Sequence, residues 1–467
     1  MDTSNFKNSE NKPLPNIIIV LTDGLRPRDL SMFGYDVETD KNLKNIASDS
    51  ALFMNAFSTS GASDTADTSI FSGQFPTTSG FIHQNPRTES WEIEMLRKNK
   101  FWLPLHLQKK GYKTFSMTPQ HLWFKKGYDS CGTKEGAGMG KYLSRSSTIR
   151  KILLALPNWA YTLGKKVTTV RLSPKFISAE QIIDNTINKI KETDKPFYMY
   201  MQLLDAHCPY AAVKTPKVKG KTFVKDVLKK IENPTQREYV KKRFFDSGTN
   251  SIEQSKEKLD LSISFMDNQI GRLVEYLKDA SLWDNTIFIV ISDHGENYGE
   301  HGNYFCRGGL YDPSTHIPLI MHIPGLPSKK VNSLVCNIDV SATILDYFGE
   351  KKEIDGKSLI PLIKGEIEDD HSFREQIIAA DGFCKDRYSI RTKDRKLIIT
   401  DSGKCFLCSM EHSDGKIEEY DLEKDPFELN NIYKESGKLE KELRAKMAQL
   451  EKDIDTKSAT KTVVNVK

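Results

Sequence analysis

The sequence predicts an α/β fold: a mostly parallel central sheet flanked by helices, followed by a smaller C-terminal α+β subdomain. Three observations predict it. Several apolar runs are continuous rather than alternating, which fits strands covered on both faces. These runs end in short loops carrying Asp or His, the place where open α/β sheets put ligands. Between the runs lie amphipathic segments at helical spacing, and alternation of strands with helices argues for a doubly wound sheet.

The first strand is expected at residues 17–21 (IIIVL), ending in the Gly- and Pro-containing loop TDGLRP. The pattern recurs at residues 197–204, followed by DAHCPY, and at residues 286–291, followed by SDHGE. Residues 317–323 are a further apolar run that continues the sheet. A helix over residues 103–110 precedes GYKTF and reads as helix, turn, strand. Residues 259–278 form a long amphipathic helix, with Ile263, Met266, Ile270, Leu273, Val274 and Leu277 on its core face. The character changes after about residue 375, which divides the chain into a catalytic domain (1–375) and an α+β subdomain (376–467). Short strands are expected there at 388–392 and 396–400, then a charged helix at 437–452 and a loose tail over 455–467.

Bulk properties narrow the function. The 467 residues suit one large α/β domain with a smaller companion. A net charge of +5 gives no reason for a polyanion-binding role, so no nucleic-acid partner is expected. Seven scattered cysteines do not form a disulfide framework. Cys405 and Cys408 make one CxxC; Cys384 and His412 could complete a metal site, but two ordinary reduced thiols are the reading adopted. Residues 1–12 are polar and lack a signal-peptide core, and no run approaches the roughly 20 apolar residues needed to span a bilayer. A cytoplasmic protein is therefore expected.

The chemistry should sit where strand ends converge. Asp23, the pair Asp205 and His207, and the pair Asp293 and His294 all follow predicted strands. Carboxylates and imidazoles brought together at one sheet edge make a divalent-metal site. The hydroxyl-rich segment STSGASDTADTSIFSG is expected to open a helix whose free N–H groups and dipole favour an anion. A hydroxyl nucleophile beside a metal needs such a place.

TDGLRPRDLSMFGY resembles the first metal-binding stretch of the sulfatase family, and SIFSGQFPTTSGF resembles the segment after that family's nucleophile. LLDAHCPY, SDHGENYGEHG, LYDPSTHIPLI, IDVSATILDYFG, DGKSLIPLIKG and EYDLEKDPFELNN follow in family order, over about residues 14–435. The resemblance implies an alkaline-phosphatase-like fold and hydrolysis of sulfate or phosphate (di)esters. Transfer of a phospho-group onto a glycan or lipid by the same site is the alternative. It implies one divalent ion (Ca, Mg, Mn or Zn) held by Asp23, Asp293 and His294, with the Ser63 oxygen as a further ligand. Ser63 falls at the nucleophile, His207 at a substrate-contacting histidine, and Arg307 where many sulfatases carry a sulfate-binding lysine. His316 is placed near the leaving group, with His301 and His121 as weaker candidates and Thr65 as the fallback nucleophile.

The chain also departs from the family pattern. The formylglycine signature is Cys or Ser, any residue, Pro or Ala, any residue, Arg; here Ser63 is followed by Asp64, Thr65, Ala66 and Asp67. Gly24 replaces a second early carboxylate, His294 replaces an Asn, and Pro119 replaces a basic residue before His121. These departures point to an unmodified serine. Finally, residues 141–175 hold eight Lys or Arg residues and no Asp or Glu. Within them lies ILLALPNWAYTLG, a mixture that can rest on an anionic membrane surface or cover an anionic substrate. The expected partner of the site is a small-molecule, glycan or lipid ester substrate.

Overall fold

The structure is a computed structural model that describes residues 13–118, 124–132, 176–218, 220–369, 373–384, 386–401, 404–409 and 417–464. The basic stretch 141–175, Pro119, His121 and His412 lie outside the described residues.

Eight strands form the main sheet: β1 Asn16–Thr22, β2 Ala51–Phe57, β3 Lys113–Ser116, β4 Ser130–Cys131, β5 Phe197–Leu203, β6 Thr286–Ile291, β7 His316–His322 and β8 Lys329–Cys336. Their order is β4-β3-β5-β1-β6-β7-β2-β8. All neighbours pair in parallel except those of β7, which is antiparallel to β6 and β2. β7 runs backwards because the chain leaves β6, makes a long loop over one sheet edge, and re-enters from that same edge.

β1 lies at the centre, and its continuous apolar run has the cause expected of it. Ile17, Ile19 and Leu21 face one hydrophobic core, while Ile18 and Val20 face the other. Each fully buried aliphatic side chain of this kind contributes about 1.5–3 kcal/mol relative to exposure. The second core is roofed by helix Ile252–Asp279, which buries Ile263, Met266, Ile270, Leu273 and Leu277 against the Ile18 and Val20 face. Ser251 caps that helix by accepting from the Gln254 N–H at 3.2 Å.

A second, antiparallel sheet follows in the order β12-β11-β10-β9, built from β9 Ile377–Ala380, β10 Arg387–Arg391, β11 Arg395–Thr400 and β12 Ile417–Asp421. Leu443, Met447 and Leu450 of the last helix cover one of its faces. That helix runs over Lys438–Val464, so the loose tail expected from residue 455 is helical through Val464. The charged sequence there carries no helix breaker, and a helix already nucleated on the small sheet propagates at little cost. The small sheet docks on the segment after β2: the Ala380 N–H donates to the Thr59 carbonyl at 2.9 Å.

Candidate active site

The parallel strands place the ends of β1, β5, β6, β2 and β8 at one edge, together with the start of β7. Asp23 directly follows β1, and its backbone N–H donates to the Leu203 carbonyl of β5 at 2.9 Å. Gly24 comes next at φ +79°, a left-handed conformation that a carboxylate-bearing residue adopts only with strain. Its N–H points at Asp293 Oδ1, 3.4 Å away, so the residue standing where the family has a second acid serves the turn.

Asp293 and His294 follow β6 and are fully buried. The oxygens Asp23 Oδ1 and Asp293 Oδ2 are buried and accept no hydrogen bond. His294 Nε2 lies 3.5 Å from the first and 3.3 Å from the second. The other ring nitrogen, Nδ1, donates to the Gly295 carbonyl at 2.9 Å, so Nε2 presents its lone pair to the two carboxylates. Two unsatisfied carboxylate oxygens and one oriented imidazole nitrogen, all within 4.8 Å of one another, form a donor set that fits a divalent cation. Gln202 holds the third side of this group by donating to Asp23 Oδ2 at 2.7 Å.

Ser63 opens helix Ser63–Ser72, as the hydroxyl-rich sequence suggested. Its hydroxyl oxygen lies 3.2 Å from His294 Nε2, at the positive end of the helix dipole. Thr65, the fallback nucleophile, is fully buried and its hydroxyl is engaged by the Ile82 carbonyl. Arg307 reaches the same spot from the β6–β7 loop. Its Nη1 donates to His207 Nε2 at 3.0 Å and to His294 Nε2 at 2.9 Å, and lies 3.8 Å from Asp23 Oδ1. His207 Nδ1 donates to the Cys208 carbonyl at 2.6 Å, which fixes the ring.

The charges are strongly coupled. Burial pushes Asp23 upward, but His207, His294 and Arg307 together hold its carboxyl below the ordinary value. Burial, then Asp23 and Asp67, raise Asp293 well above it. Burial and Arg307 push His294 down to about 3, so its imidazole is neutral. Asp67, in the place of the signature arginine, is buried, accepts from the Tyr200 hydroxyl at 3.0 Å and is raised well above the carboxylate range by burial.

One expectation changes. Asp205 is a helix cap: its carboxylate accepts the Ala179 N–H at 3.0 and 3.2 Å, at the start of helix Ala179–Lys191, and burial raises it to about 7. His316 bonds the Met54 carbonyl at 2.9 Å and stacks on Phe57 at 4.8 Å. His301 stacks on Tyr311 at 3.6 Å. Cys405 and Cys408 are free thiols, as expected, and Cys306 joins them in a three-sulfur cluster. Sequence reasoning missed that partner, as it missed Gln202 and Arg26. The Arg26 guanidinium pairs with Asp29 at 2.7 Å and bonds the Glu296 carbonyl at 2.9 Å, tying the loop after β1 to the loop after β6. An arginine three residues past Asp23 was the available signal.

The fold and site gather acid, imidazole, hydroxyl and guanidinium groups at one edge of a mostly parallel sheet, and the class they fit is a hydrolase. The chain belongs to the sulfatase family, whose model matches residues 15–350. The model for the N-sulphoglucosamine sulphohydrolase C-terminal region matches residues 299–453. An arylsulfatase of Clostridium perfringens is 24% identical over 464 residues, covering 90% of each chain. A choline-sulfatase of Rhizobium meliloti is 24% identical over 452 residues, covering 90% of this chain and 82% of the other. The phosphonate monoester hydrolase of Agrobacterium radiobacter shares the fold, with a TM-score of 0.60 at 18% identity over 94% of this chain and 96% of that one.

Proposed function

We propose that the protein is a divalent-metal-dependent esterase that cleaves sulfate or phosphate esters through direct attack by an unmodified Ser63, with phosphate esters preferred. The observation that carries this reading is the placement of the Ser63 hydroxyl at a helix N-terminus, 3.2 Å from His294 Nε2 and beside two carboxylates.

Asp23, Asp293 and His294 would hold the ion, and the donor set suits Mg²⁺, Mn²⁺, Ca²⁺ or Zn²⁺. When bound, such an ion lowers the pKa of a neighbouring hydroxyl and offsets charge on the reacting ester. Ser63 Oγ gives up its proton and forms a bond to the phosphorus or sulfur atom as the bond to the organic oxygen breaks, and that oxygen takes up a proton and leaves as an alcohol. Water then cleaves the ester on Ser63. Arg307 Nη1 and His207 Nε2, 3.0 Å apart, can bind the non-bridging oxygens, where charge redistributes in the transition state. The phosphate preference rests on Asp67. A buried carboxyl at the signature's arginine position opposes recognition by an enzyme that makes formylglycine. The scattered cysteines fit a reducing compartment such as the cytoplasm.

The test is a panel of aryl sulfates, phosphomonoesters, phosphodiesters and phosphonates, each with several divalent metals. The expected result is metal-dependent turnover, highest on a phosphate ester. Full turnover by metal-stripped protein, or turnover of aryl sulfates alone, would overturn the reading.

A further inference from the structure

Directly behind Arg307, three cysteine sulfurs meet. Cys306 Sγ lies 3.1 Å from Cys408 Sγ and 3.8 Å from Cys405 Sγ, and all three fall within 4.8 Å of one another. A disulfide needs about 2.05 Å. Tetrahedral zinc binds thiolates at about 2.3 Å, which sets sulfur atoms about 3.8 Å apart. From this geometry we propose that Cys306, Cys405 and Cys408 form a second metal site, separate from the Asp–His cluster, that takes a soft divalent ion of the zinc type.

The surroundings are built for it. The Cys405–Cys408 turn is closed by the Ser409 N–H donating to the Cys405 carbonyl at 2.7 Å. It is anchored from outside by Asn233 Nδ2 on the Ser409 carbonyl at 3.1 Å and by the Phe406 N–H on the Phe383 carbonyl at 2.9 Å. Cys306 is fixed from the other side by Asn297, whose Nδ2 donates to the Cys306 carbonyl at 2.6 Å. All three cysteines are buried, with Ala62 and Phe383 among the wall residues. Binding is then an exchange: three sulfur–metal bonds form, three protons leave to solvent, and no oxidant is required. Three protein thiolates leave a fourth position for water or an added thiol. An all-sulfur donor set selects zinc over magnesium or calcium.

The site joins two stretches about 100 residues apart, one of which carries Arg307 in its next residue. Phe383 lies under the Arg307 guanidinium at 5.0 Å and against Phe406 at 5.5 Å. An ion here therefore pins the loop that delivers the site's guanidinium.

The proposal is independent of the ester reading, and its test is run where the two cannot be confused. Asp293→Ala protein, which lacks a donor of the Asp–His cluster, is expressed with zinc, dialysed and analysed by elemental mass spectrometry. It should retain about one zinc per chain, and a Cys405→Ser/Cys408→Ser change in that background should lose it. Cobalt-reconstituted full-length Asp293→Ala protein, with the cysteines intact, should show intense sulfur-to-cobalt charge-transfer absorption, a readout that survives if the serine variant fails to fold. Three results would each overturn the site: no zinc retained by Asp293→Ala protein, a Cys306–Cys408 disulfide in its peptide map, or cobalt uptake without that absorption.

Discussion

Gly61 is the position where a single methyl group tests the assembly of the candidate site. A Cβ built on it would sit 2.1 Å from the Arg307 carbonyl oxygen, where real Cβ atoms essentially never come closer than 3.0 Å. Gly61→Ala therefore forces the two backbones apart by about 1 Å. Ser63 lies two residues along one of them, and Arg307 is the other, so the displacement falls between hydroxyl and guanidinium. Overpacking of this size costs about 1–3 kcal/mol of stability. A misplacement of about 1 Å among reacting groups costs about 100-fold in rate. Steady-state kinetics on the best substrate from the panel, with circular dichroism as a folding check, should show kcat down about 100-fold in a folded protein. Gly437→Ala is the control, since no heavy atom lies within 4 Å of its added methyl. A folded Gly61→Ala variant with kcat within about twofold of the parent would refute the claim that Ser63 and Arg307 act as one unit.

Other perturbations separate the roles. Arg307→Ala should lower kcat by about 100- to 1000-fold, the effect of losing a donor aimed at developing charge; a change in thermal stability alone would make Arg307 structural. Asp293→Ala should abolish activity and binding of the activating metal by calorimetry, and full activity would remove Asp293 from the site. Asp205 should give the protein a pH-dependent stability. Its carboxyl rises from 3.8 to about 7 on folding, so between those values the native state holds a proton that the unfolded chain has released. Stability contributed by this group is present below about pH 4 and is lost as pH rises through 7, by about 4 kcal/mol in all. Denaturant titrations of Asp205→Asn should show that slope flattened, and an unchanged slope would count against the buried, protonated carboxyl.

How much of this was legible in the sequence depends on the range of the interaction. β1, β5 and β6 were visible because strands covered on both faces need unbroken apolar runs, and the two cores packed on Ile17–Leu21 are the reason. Ser63 at a helix start was visible because small hydroxyl residues mark such starts. Asp205 misled because its position after a strand looks the same whether it points at a metal or at the Ala179 N–H. The reversed direction of β7 was hidden because an apolar run has no polarity of its own. Cys306 was hidden by distance along the chain, since its partners are about 100 residues away and only the docking of the small sheet brings them together. The helical continuation to Val464 shows the reverse case, where a polar sequence stays ordered by extension from a packed turn.

The central claim is that Ser63 attacks as a plain serine, and the peptide spanning residues 61–73 reports on it directly. Mass spectrometry of that peptide from active protein should give the unmodified mass, with activity lost in Ser63→Ala. A loss of two hydrogens at Ser63 would identify formylglycine and contradict direct serine attack.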